Sequence, residues 1–473
     1  MDTVKKILFI SLFVLLPLSA FSATHYIRQS GGGGGGTTWT DAYNGVPAIL
    51  TRGDTYVIAG GSYGSYEFND AGTTLITIRK ASSSVTYNDD AVTGWSSAYE
   101  SDQVVFSGWD FRGSGYYIEG VTPETAWAES GYGIQVSTSS NYTILAAGNV
   151  DTNNITLRNI DIINSGGADT EHMNIYTTYA GGTRNSWTIA YSWIHGATCV
   201  RAKHTLGASD WIYEYNLFEE IASGSCHGGI LTFWDATDFD VRYNKFELDT
   251  TWGTGVIGAY DASTPPGRIN TGHKFYGNVF IIPDSYLNNG TFYNGDSSVL
   301  AGSYDDWVIV NNTFDCKGTG KFKFGGKTNS SYYPDNWTIE NNIWVGCTIE
   351  AFAGGFDQGT ATVNYNYFND STPYWSPGAN SVTSTESTSV LFDNYAGYDY
   401  HIAGIDSEAY AAGIDLGDVY DEDVDGIDRD PNWTIGAYEY GSSAPINTIT
   451  GITIGNLEIK EALISWNRSD GLR

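Results

Sequence analysis

The chain is poor in positive charge and in cysteine. It has 23 Lys and Arg against 54 Asp and Glu, which gives a formal net charge of −31 at pH 7. A field of this sign keeps a protein soluble and argues against a nucleic-acid partner. Four cysteines in 473 residues are too few for a disulfide scaffold. The sequence is compatible with one or two bridges, or with buried free thiols, among Cys199, Cys226, Cys316 and Cys347.

Long apolar runs are also missing, apart from one at the N-terminus. Lys5 and Lys6 precede an apolar run from Ile7 to Leu18, which is too short to span a bilayer and is followed by small residues. This pattern predicts a signal peptide at residues 1–22. We therefore expect a secreted protein, outside the cell, in a periplasm or at a cell surface. We expect it to be a monomer with no membrane contact after cleavage.

Glycine and aromatic residues are abundant, and an eight-residue phrase recurs. Within each copy, apolar residues mostly alternate with polar ones, which is the period of a β-strand. The copies are WTIAYSWI (187–194), WIYEYNLF (211–218), FDVRYNKF (239–246), HKFYGNVF (273–280), WVIVNNTF (307–314), WTIENNIW (337–344) and ATVNYNYF (361–368). Their starts lie between 24 and 34 residues apart.

Six copies of the phrase carry Asn at the sixth position: Asn216, Asn244, Asn278, Asn312, Asn342 and Asn366. Asn suits a tight corner, where it tolerates a left-handed backbone, and side-chain amides repeated once per coil can also bond each other as a ladder. A coil of about 24 residues with three short strands is the unit of a parallel β-helix, whereas a propeller blade needs roughly 40 residues. We therefore predict an all-β fold, a single-stranded right-handed parallel β-helix with loop insertions on one side.

Three segments resemble known secreted proteins of this architecture. The phrase x-Ile-x-x-Asn-Asn-x-Phe resembles the repeat of pectin-, alginate- and chondroitin-degrading enzymes. TRGDTYVIAGGSYG (51–64) resembles the opening coil of such proteins, and AAGIDLGDVYDEDVDGIDRDPNWTIGAYEY (411–440) resembles their closing coil. The resemblance implies an N-terminal cap and opening coils at 23–135, repeats and a closing coil at 136–440, and a linker with a short tail at 441–473. The tail is a truncated module or a sorting segment. The activity stays open, because this scaffold carries lyases, hydrolases and adhesins alike.

CVRAKH, residues 199–204, contains three basic residues, Arg201, Lys203 and His204, in a chain that has few of them. Lys203 lies 16 residues after the start of one phrase and His227 lies 16 residues after the start of the next. This offset predicts that the two stack on adjacent coils, about 4.8 Å apart. The same offset one coil earlier gives Glu171, followed by His172. We predict that one stripe forms the active site, with Glu171, His172, Arg201, Lys203, His204 and His227 as its members.

The stripe contains the groups that β-elimination in a uronate polysaccharide needs: a base for the C5 proton, a cation for the carboxylate and an acid for the leaving oxygen. Lys203 or His227 is the candidate base, because neighbouring cations lower each other's pKa values. Arg201 is the candidate carboxylate ligand. Glu171, His172 and His204 are candidate acid or supporting groups. The candidate substrate-binding residues are Trp234, Tyr260, Tyr213 and Arg242.

Two family resemblances bear on the stripe. Cys226-His227-Gly228-Gly229 resembles part of the Gly-His-Gly coil of polygalacturonases, but the paired acids that glycoside hydrolysis needs are not evident one coil earlier. Val200-Arg201-Ala202-Lys203 resembles the Lys coil of the chondroitinase B and alginate lyase family, although Trp234-Asp235-Ala236 stands where Arg-His-Gly is expected. The resemblance implies a lyase acting on an extracellular acidic polysaccharide such as alginate, pectate or a glycosaminoglycan. The alternative is a non-catalytic carbohydrate-binding or adhesin-type surface protein.

DEDVDG, residues 421–426, places Asp421, Asp423 and Asp425 at alternate positions, as in the first half of a calcium loop. The twelfth position is Asn432 rather than Glu. The sequence therefore favours an acidic turn, with a structural calcium ion as the alternative, and predicts no required cofactor.

Overall fold

The computed structural model describes residues 22–30, 32–123, 125–146, 149–166, 172–178, 181–196, 200–205, 207–219, 229–248, 255–259, 269–282, 292–294, 304–317, 321–326, 335–351, 355–429 and 432–441. Apart from Ser22 and Gly441, the predicted signal peptide and the C-terminal tail lie outside these residues and stay predictions. Within the described ranges, no helix is long and apolar enough to cross a membrane.

The described chain winds through two large parallel sheets. One face of each coil belongs to a first sheet, in which every strand pairs in parallel with the strand one coil away. In spatial order its strands are Tyr43–Asn44, Thr24–Arg28, Thr55–Ile58, Ile76–Lys80, Tyr116–Glu119, Ile155–Arg158, Trp187–Ala190, Ile212–Glu214, Asp240–Arg242, Lys274–Tyr276, Val308–Val310, Thr338–Glu340 and Thr362–Asn364.

The second sheet has two columns of strands. At its N-terminal end, each of the long strands Gly61–Phe68 and Val104–Phe111 extends across both columns. The first column continues with Ile134–Thr138, Ile160–Asn164, Trp193–His195, Leu217–Glu219, Lys245–Glu247, Val279–Ile281, Thr313–Asp315, Ile343–Val345, Tyr367–Asn369 and Val382–Ser384. The second column continues with Tyr142–Ala146, Met173–Thr177, Val200–His204, Gly229–Phe233, Gly255–Ala259, Phe292–Asn294, Lys321–Gly326 and Thr348–Ala351.

Smaller elements complete the described coil. Three short strands, Arg184–Asn185, Ala208–Ser209 and Ala236–Thr237, form a third parallel sheet. Phe392–Asn394 and Asp399–Ile402 pair antiparallel. The helices are single turns: Ala98–Ser101 and Thr388–Leu391 are α-helical, and Asp89–Ala91 and Tyr395–Gly397 are 3₁₀-helical. The chain is therefore a parallel β-helix, as the repeat predicted. Strand Ile134–Thr138 spans the predicted boundary at 135/136, so the opening coils and the repeats share their sheets.

Each recurring phrase turns the corner between the first sheet and the first column. The Asn side chains stack there as a ladder, with Nδ2 of each donating to Oδ1 of the next at 2.9 to 3.1 Å from Asn216 to Asn366. The left-handed backbone belongs to the preceding residue instead, for example Tyr215 (φ 56°) and Asn341 (φ 55°). Of the two roles considered for Asn, the ladder is confirmed.

Aromatic side chains fill the interior in parallel stacks. Phe218, Phe246, Phe280 and Phe314 stack on one another at 4.6 to 4.8 Å between ring centroids. Trp187 stacks on Trp211 at 4.5 Å. Since all these rings are buried, they supply much of the hydrophobic stabilisation that holds one coil on the next.

The closing segment, residues 388–441, packs over the outside of the Asn corner. Its Leu391, Phe392 and Ile435 join buried residues of both sheets, such as Val310 and Ile343, in a second apolar cluster. Asn341 Nδ2 donates to the carbonyl of Ile414 at 2.7 Å. The corner is thus enclosed on both sides.

A disulfide joins Cys316 to Cys347, with 5.1 Å between their Cα atoms. It links the coil that contains Asn312 to the coil that contains Asn342. One of the bridges that the sequence permitted is therefore present, while Cys199 and Cys226 lie outside the described residues.

Candidate active site

Lys203 lies on the outer face of the second column. In its strand Ala202 points into the core, so the next residue points outward. The strand register continues this outward position over neighbouring coils. We call this set of residues the Lys203 row; it consists of Glu67, Asp110, Leu145, Tyr176, Lys203, Thr232 and Gly258.

Two aromatic rings flank the ammonium group of Lys203. Its Nζ lies 4.2 Å from the ring centroid of Trp234 and 5.8 Å from that of Tyr176. All three side chains are half-buried. Trp234 is held by its backbone amide, which donates to the carbonyl of His204 at 2.7 Å. The structure thus brings together one predicted catalytic residue and one predicted substrate-binding residue.

The predicted stacking of Lys203 on His227 is wrong, because Thr232 pairs with Lys203. The first column pairs Asp161, Trp193 and Leu217 on three successive coils. In the coil of Lys203, 10 residues separate the first-column position (193) from the second-column position (203). In both neighbouring coils the same separation is 15 residues (161 to 176 and 217 to 232).

The position predicted for Glu171 is likewise taken by Tyr176, and the side chains of Glu171 and His227 lie outside the described residues. His172 is described and nearly buried, and it precedes strand Met173–Thr177. A Cβ on Gly166 would lie 2.0 Å from its Cδ2 atom, so the imidazole ring packs directly on that glycine. His172 lies four positions before Tyr176 and is not a member of the Lys203 row.

Arg201 is buried, with 1% of its surface exposed. Its Nε donates to the carbonyl of Glu219 at 3.0 Å and its Nη1 to Asn174 Oδ1 at 3.3 Å. The expectation that Arg201 binds a substrate carboxylate is therefore wrong, because its guanidinium group is buried and bonds residues of the neighbouring strands Leu217–Glu219 and Met173–Thr177.

His204 and Tyr213 point inward and are fully buried. His204 Nε2 lies 3.0 Å from the Tyr213 hydroxyl group, and the ring of Trp211 is 4.5 Å away. Burial lowers the pKa of His204 to about 3, with a smaller contribution from His273, and burial raises the pKa of Tyr213 well above its usual value. Neither can touch a polysaccharide at the surface, so their predicted roles as an acid and a sugar ligand are wrong.

Arg242 lies on the outer face of the first sheet, not beside Lys203. Its Nη2 is 2.7 Å from Glu214 Oε2, and its Nη1 donates to the Tyr276 hydroxyl group at 2.9 Å. It lines a cleft of about 330 Å³ together with Asp421 and Glu422. The predicted grouping of Arg242 with the stripe is therefore wrong. Tyr260 lies outside the described residues.

The three aspartates of DEDVDG have separate surroundings. The buried carboxylate of Asp423 accepts the backbone amides of Asp425, Ile427 and Glu439, each at 2.9 Å. Asp425 Oδ2 is 2.8 Å from His401 Nε2, and Asp421 lines the cleft beside Arg242. Within the described ranges, no group of three or more His, Cys, Asp or Glu is arranged to hold a metal ion. The geometry is that of an acidic turn, and the three carboxylates do not converge.

A second cleft, of about 500 Å³, lies along the Lys203 row toward the N-terminus. Its lining includes Glu67, Asp110, Tyr142 and Leu145. The ring of Tyr142 stacks on that of Tyr176 at 4.5 Å, so the cleft leads to Lys203. The sequence did not indicate this cleft because its opening coils contain no copy of the recurring phrase. Only the copies of that phrase allowed residues of neighbouring coils to be aligned.

No protein-family model matches the chain, and no curated protein matches it in sequence. Solved structures do resemble it. Pectate lyase Pel9A is 12% identical with a TM-score of 0.46, over 89% of this chain and 98% of that one. A mutant of the PL6 family alginate lyase AlyGC is 16% identical with a TM-score of 0.33, and AlyGC itself is 15% identical with a TM-score of 0.27. In both, 71% of this chain covers 51% of the other. Such similarity concerns the fold alone, which the strand register establishes independently as a parallel β-helix.

Proposed function

We propose that the protein cleaves a uronate-containing polysaccharide by β-elimination, with Lys203 as the base. The observation that carries this proposal is the position of the Lys203 ammonium group on the outer face of the sheet, between the rings of Tyr176 and Trp234. Protonated Lys203 supplies the local cation that attracts an acidic polysaccharide, since the chain as a whole has a net charge of −31 and repels anions; Lys203 then loses its proton before it acts as the base.

The reaction requires one proton transfer at the sugar ring. The neutral amine of Lys203 takes the proton from C5 of the uronate, and the electron pair of that C–H bond forms the C4–C5 double bond. The C4–O bond breaks, and the departing oxygen takes a proton from water or an acid. Negative charge that develops on the uronate carboxylate lies beside the newly formed ammonium group, which stabilises it.

Trp234 positions the sugar. Lys203 Nζ lies over the Trp234 ring at 4.2 Å from its centroid, so the apolar face of a pyranose would stack on the part of the ring that Lys203 leaves uncovered and would lie next to the base. We therefore expect the Trp234→Ala variant to bind the polymer more weakly while keeping the base.

The alternative is a carbohydrate-binding protein without catalysis. One observation favours it: Arg201 and His204, the predicted partners of Lys203, are buried. A cation between two aromatic faces is sufficient to bind an acidic sugar without cleaving it.

The test is the ultraviolet absorbance of the unsaturated uronate product. Purified protein is mixed with alginate, pectate, chondroitin, hyaluronan and ulvan, with and without calcium. Absorbance that rises on one polymer and is lost in Lys203→Ala supports elimination and identifies the substrate. A flat trace on all five, together with retention of one polymer in a binding assay, overturns the lyase proposal in favour of the binding protein.

A further inference from the structure

The cleft of about 500 Å³ on the Lys203 row differs in chemistry from the surroundings of Lys203. Two of its lining residues, Glu67 and Asp110, carry carboxylates, and none of the described residues that line it is Lys, Arg or His. The remaining lining is rich in hydroxyl groups, from Ser65, Ser107, Thr138 and Ser140. Arg112 contacts both carboxylates and neutralises only one of the two charges, so a uronate placed here would add a third carboxylate to a net negative site, which is unfavourable.

One guanidinium group, that of Arg112, contacts both carboxylates. Arg112 Nη2 lies 2.8 Å from Asp110 Oδ2, and Arg112 Nε lies 3.1 Å from Glu67 Oε2. Asn69 Nδ2 donates to Glu67 Oε1 at 2.7 Å. One guanidinium group and two carboxylates together carry a net charge of −1. A metal ion would bind here less favourably than at two uncompensated carboxylates. Carboxylates held in this way are strong acceptors for the neighbouring hydroxyl groups of a neutral sugar.

An aromatic surface connects this cleft to Lys203. Tyr142 is half-buried in the cleft, and its ring stacks on Tyr176 at 4.5 Å with 22° between the planes. Tyr176 in turn is one of the two rings beside the Lys203 ammonium group. A polysaccharide that lies along the row therefore passes over Tyr176 and Tyr142 before it reaches Asp110.

The spacing of coils matches that of a sugar chain. Asp110 is three coils from Lys203 in the strand register, which is roughly 14 Å at the usual spacing of paired strands. A pyranose in an extended chain advances by about the length of one coil, so the cleft receives a sugar about three units from the one at Lys203.

We propose that this cleft is a subsite for a neutral, hydroxyl-rich sugar of the same polysaccharide whose uronate lies at Lys203. The substrate is then a mixed polymer, in which uronates alternate with neutral sugars, and not a pure uronate chain. This inference rests on the proposed function, because it assumes that one polysaccharide follows the row.

The test measures binding, so that it does not depend on cleavage. The Lys203→Arg protein, which keeps the cation but cannot act as a base, is titrated with homouronates (polygalacturonate and alginate) and with polymers that alternate uronates with neutral sugars (the rhamnogalacturonan backbone, unsulfated chondroitin and hyaluronan). We expect an alternating polymer to bind most tightly. Adding Asp110→Asn or Tyr142→Ala should weaken its binding on the order of tenfold, while the binding of homouronates is unchanged or improves.

Matched controls are Asp90→Asn and Tyr398→Ala, which change exposed residues outside the cleft and should leave all affinities unchanged. Tightest binding of a homouronate overturns the proposal, as does an alternating polymer that binds equally well after both cleft substitutions. Cleavage by the wild type is measured separately. Loss of the subsite effect with cleavage intact would refute only the subsite, and binding through the cleft without cleavage of any polymer would refute only the lyase.

Discussion

Two rows of side chains run along this β-helix at one position per coil, and their compositions differ. The Asn ladder repeats one residue from Asn216 to Asn366, and each amide bonds the next. The Lys203 row changes its residue at every coil, from Glu67 to Gly258. When the groups of a row bond each other, repeating the same residue adds one hydrogen bond per coil. A row that contacts a polysaccharide instead needs different groups for the different sugars.

The surroundings of the two rows differ in the same way. The ladder is enclosed by the core on one side and by the closing segment on the other. The Lys203 row keeps half-buried side chains at Leu145, Tyr176 and Lys203. Under the proposed function, the Asn ladder stabilises the coil and the Lys203 row contacts the ligand, so we expect that substitutions in one row leave the function of the other unchanged.

The largest effect is expected for Lys203→Ala. Loss of a general base typically slows a reaction by about 10²–10⁴-fold, so elimination should fall by that factor while the free energy of unfolding is unchanged. Initial rates of absorbance change measure the first, and urea unfolding the second. Lys274→Ala, which removes a surface cation paired with Asp240 at 3.2 Å, is the control and should keep full activity. Cleavage at the wild-type rate by Lys203→Ala would refute its role as the base.

Next in size is the loss of the disulfide. The double variant Cys316→Ala/Cys347→Ala releases a crosslink with a sequence separation of 31, which should lower the free energy of unfolding by about 3–4 kcal/mol. Urea unfolding of the variant and the wild type measures the difference. Cleavage should be unchanged, because the crosslink joins coils of the ladder beyond Gly258. An unchanged unfolding midpoint would contradict the assignment of this bridge to stability.

A single break in the ladder should cost somewhat less. Asn278 donates to Asn312 Oδ1 at 3.0 Å and to the Val241 carbonyl at 2.8 Å, and its Oδ1 accepts two bonds from Asn244. Asn278→Ala removes these four bonds and takes away the acceptor of the buried Asn244 backbone amide, although Asn312 Oδ1 keeps its bond from the Asn278 backbone amide; it should lower the free energy of unfolding by about 2–3 kcal/mol. The exposed Asn380→Ala is the control and should have no measurable effect. Equal stability of both variants would show that the ladder does not hold the coils together.

The smallest effect concerns the closing segment that covers the ladder. His401 contacts Asp425 at 2.8 Å and also Asp399. Burial opposes its protonation, but the hydrogen bonds to the two carboxylates prevail and raise the pKa of His401 to about 9. Since the folded-state pKa is above the unfolded one, the stabilisation is fully present below about pH 6.5 and is lost as the pH rises through 9.

We therefore expect His401→Gln to be less stable than the wild type by about 1–2 kcal/mol at pH 6, with a difference that shrinks toward pH 9.5. Urea unfolding across this range measures it. If the difference in the free energy of unfolding were constant with pH, the charge of His401 would not stabilise the closing segment.

The fold could be predicted from the sequence because contacts that repeat from coil to coil require residues that repeat along the chain. The alternation within each phrase, the Asn at its sixth position and the recurring Trp187 and Trp211 all correspond to contacts between equivalent positions of adjacent coils. The site was only partly accessible. Lys203 and Trp234 were predicted and lie together, whereas Arg201, His204 and Tyr213 are buried.

The physical reason for these misses is the turn between the two columns of the second sheet. Phrase spacing fixes only the first sheet and the first column, where paired residues such as Trp193 and Leu217 are a whole phrase interval apart. A turn of variable length follows, so the register of the second column is set by which residues pack inside. Ala202 and Leu231 do so, which places Lys203 opposite Thr232.

The sequence by itself thus determined the parallel coil, the ladder of asparagines and the scarcity of cations that drew attention to Lys203. Tertiary structure decided which of the clustered charged residues face solvent, and it formed the cleft of Glu67, Asp110 and Tyr142 from coils that share no motif. Side-chain direction in a strand changes with each residue, so a shift of the register by one position moves a side chain from the surface to the core. Only the packed coil fixes that register.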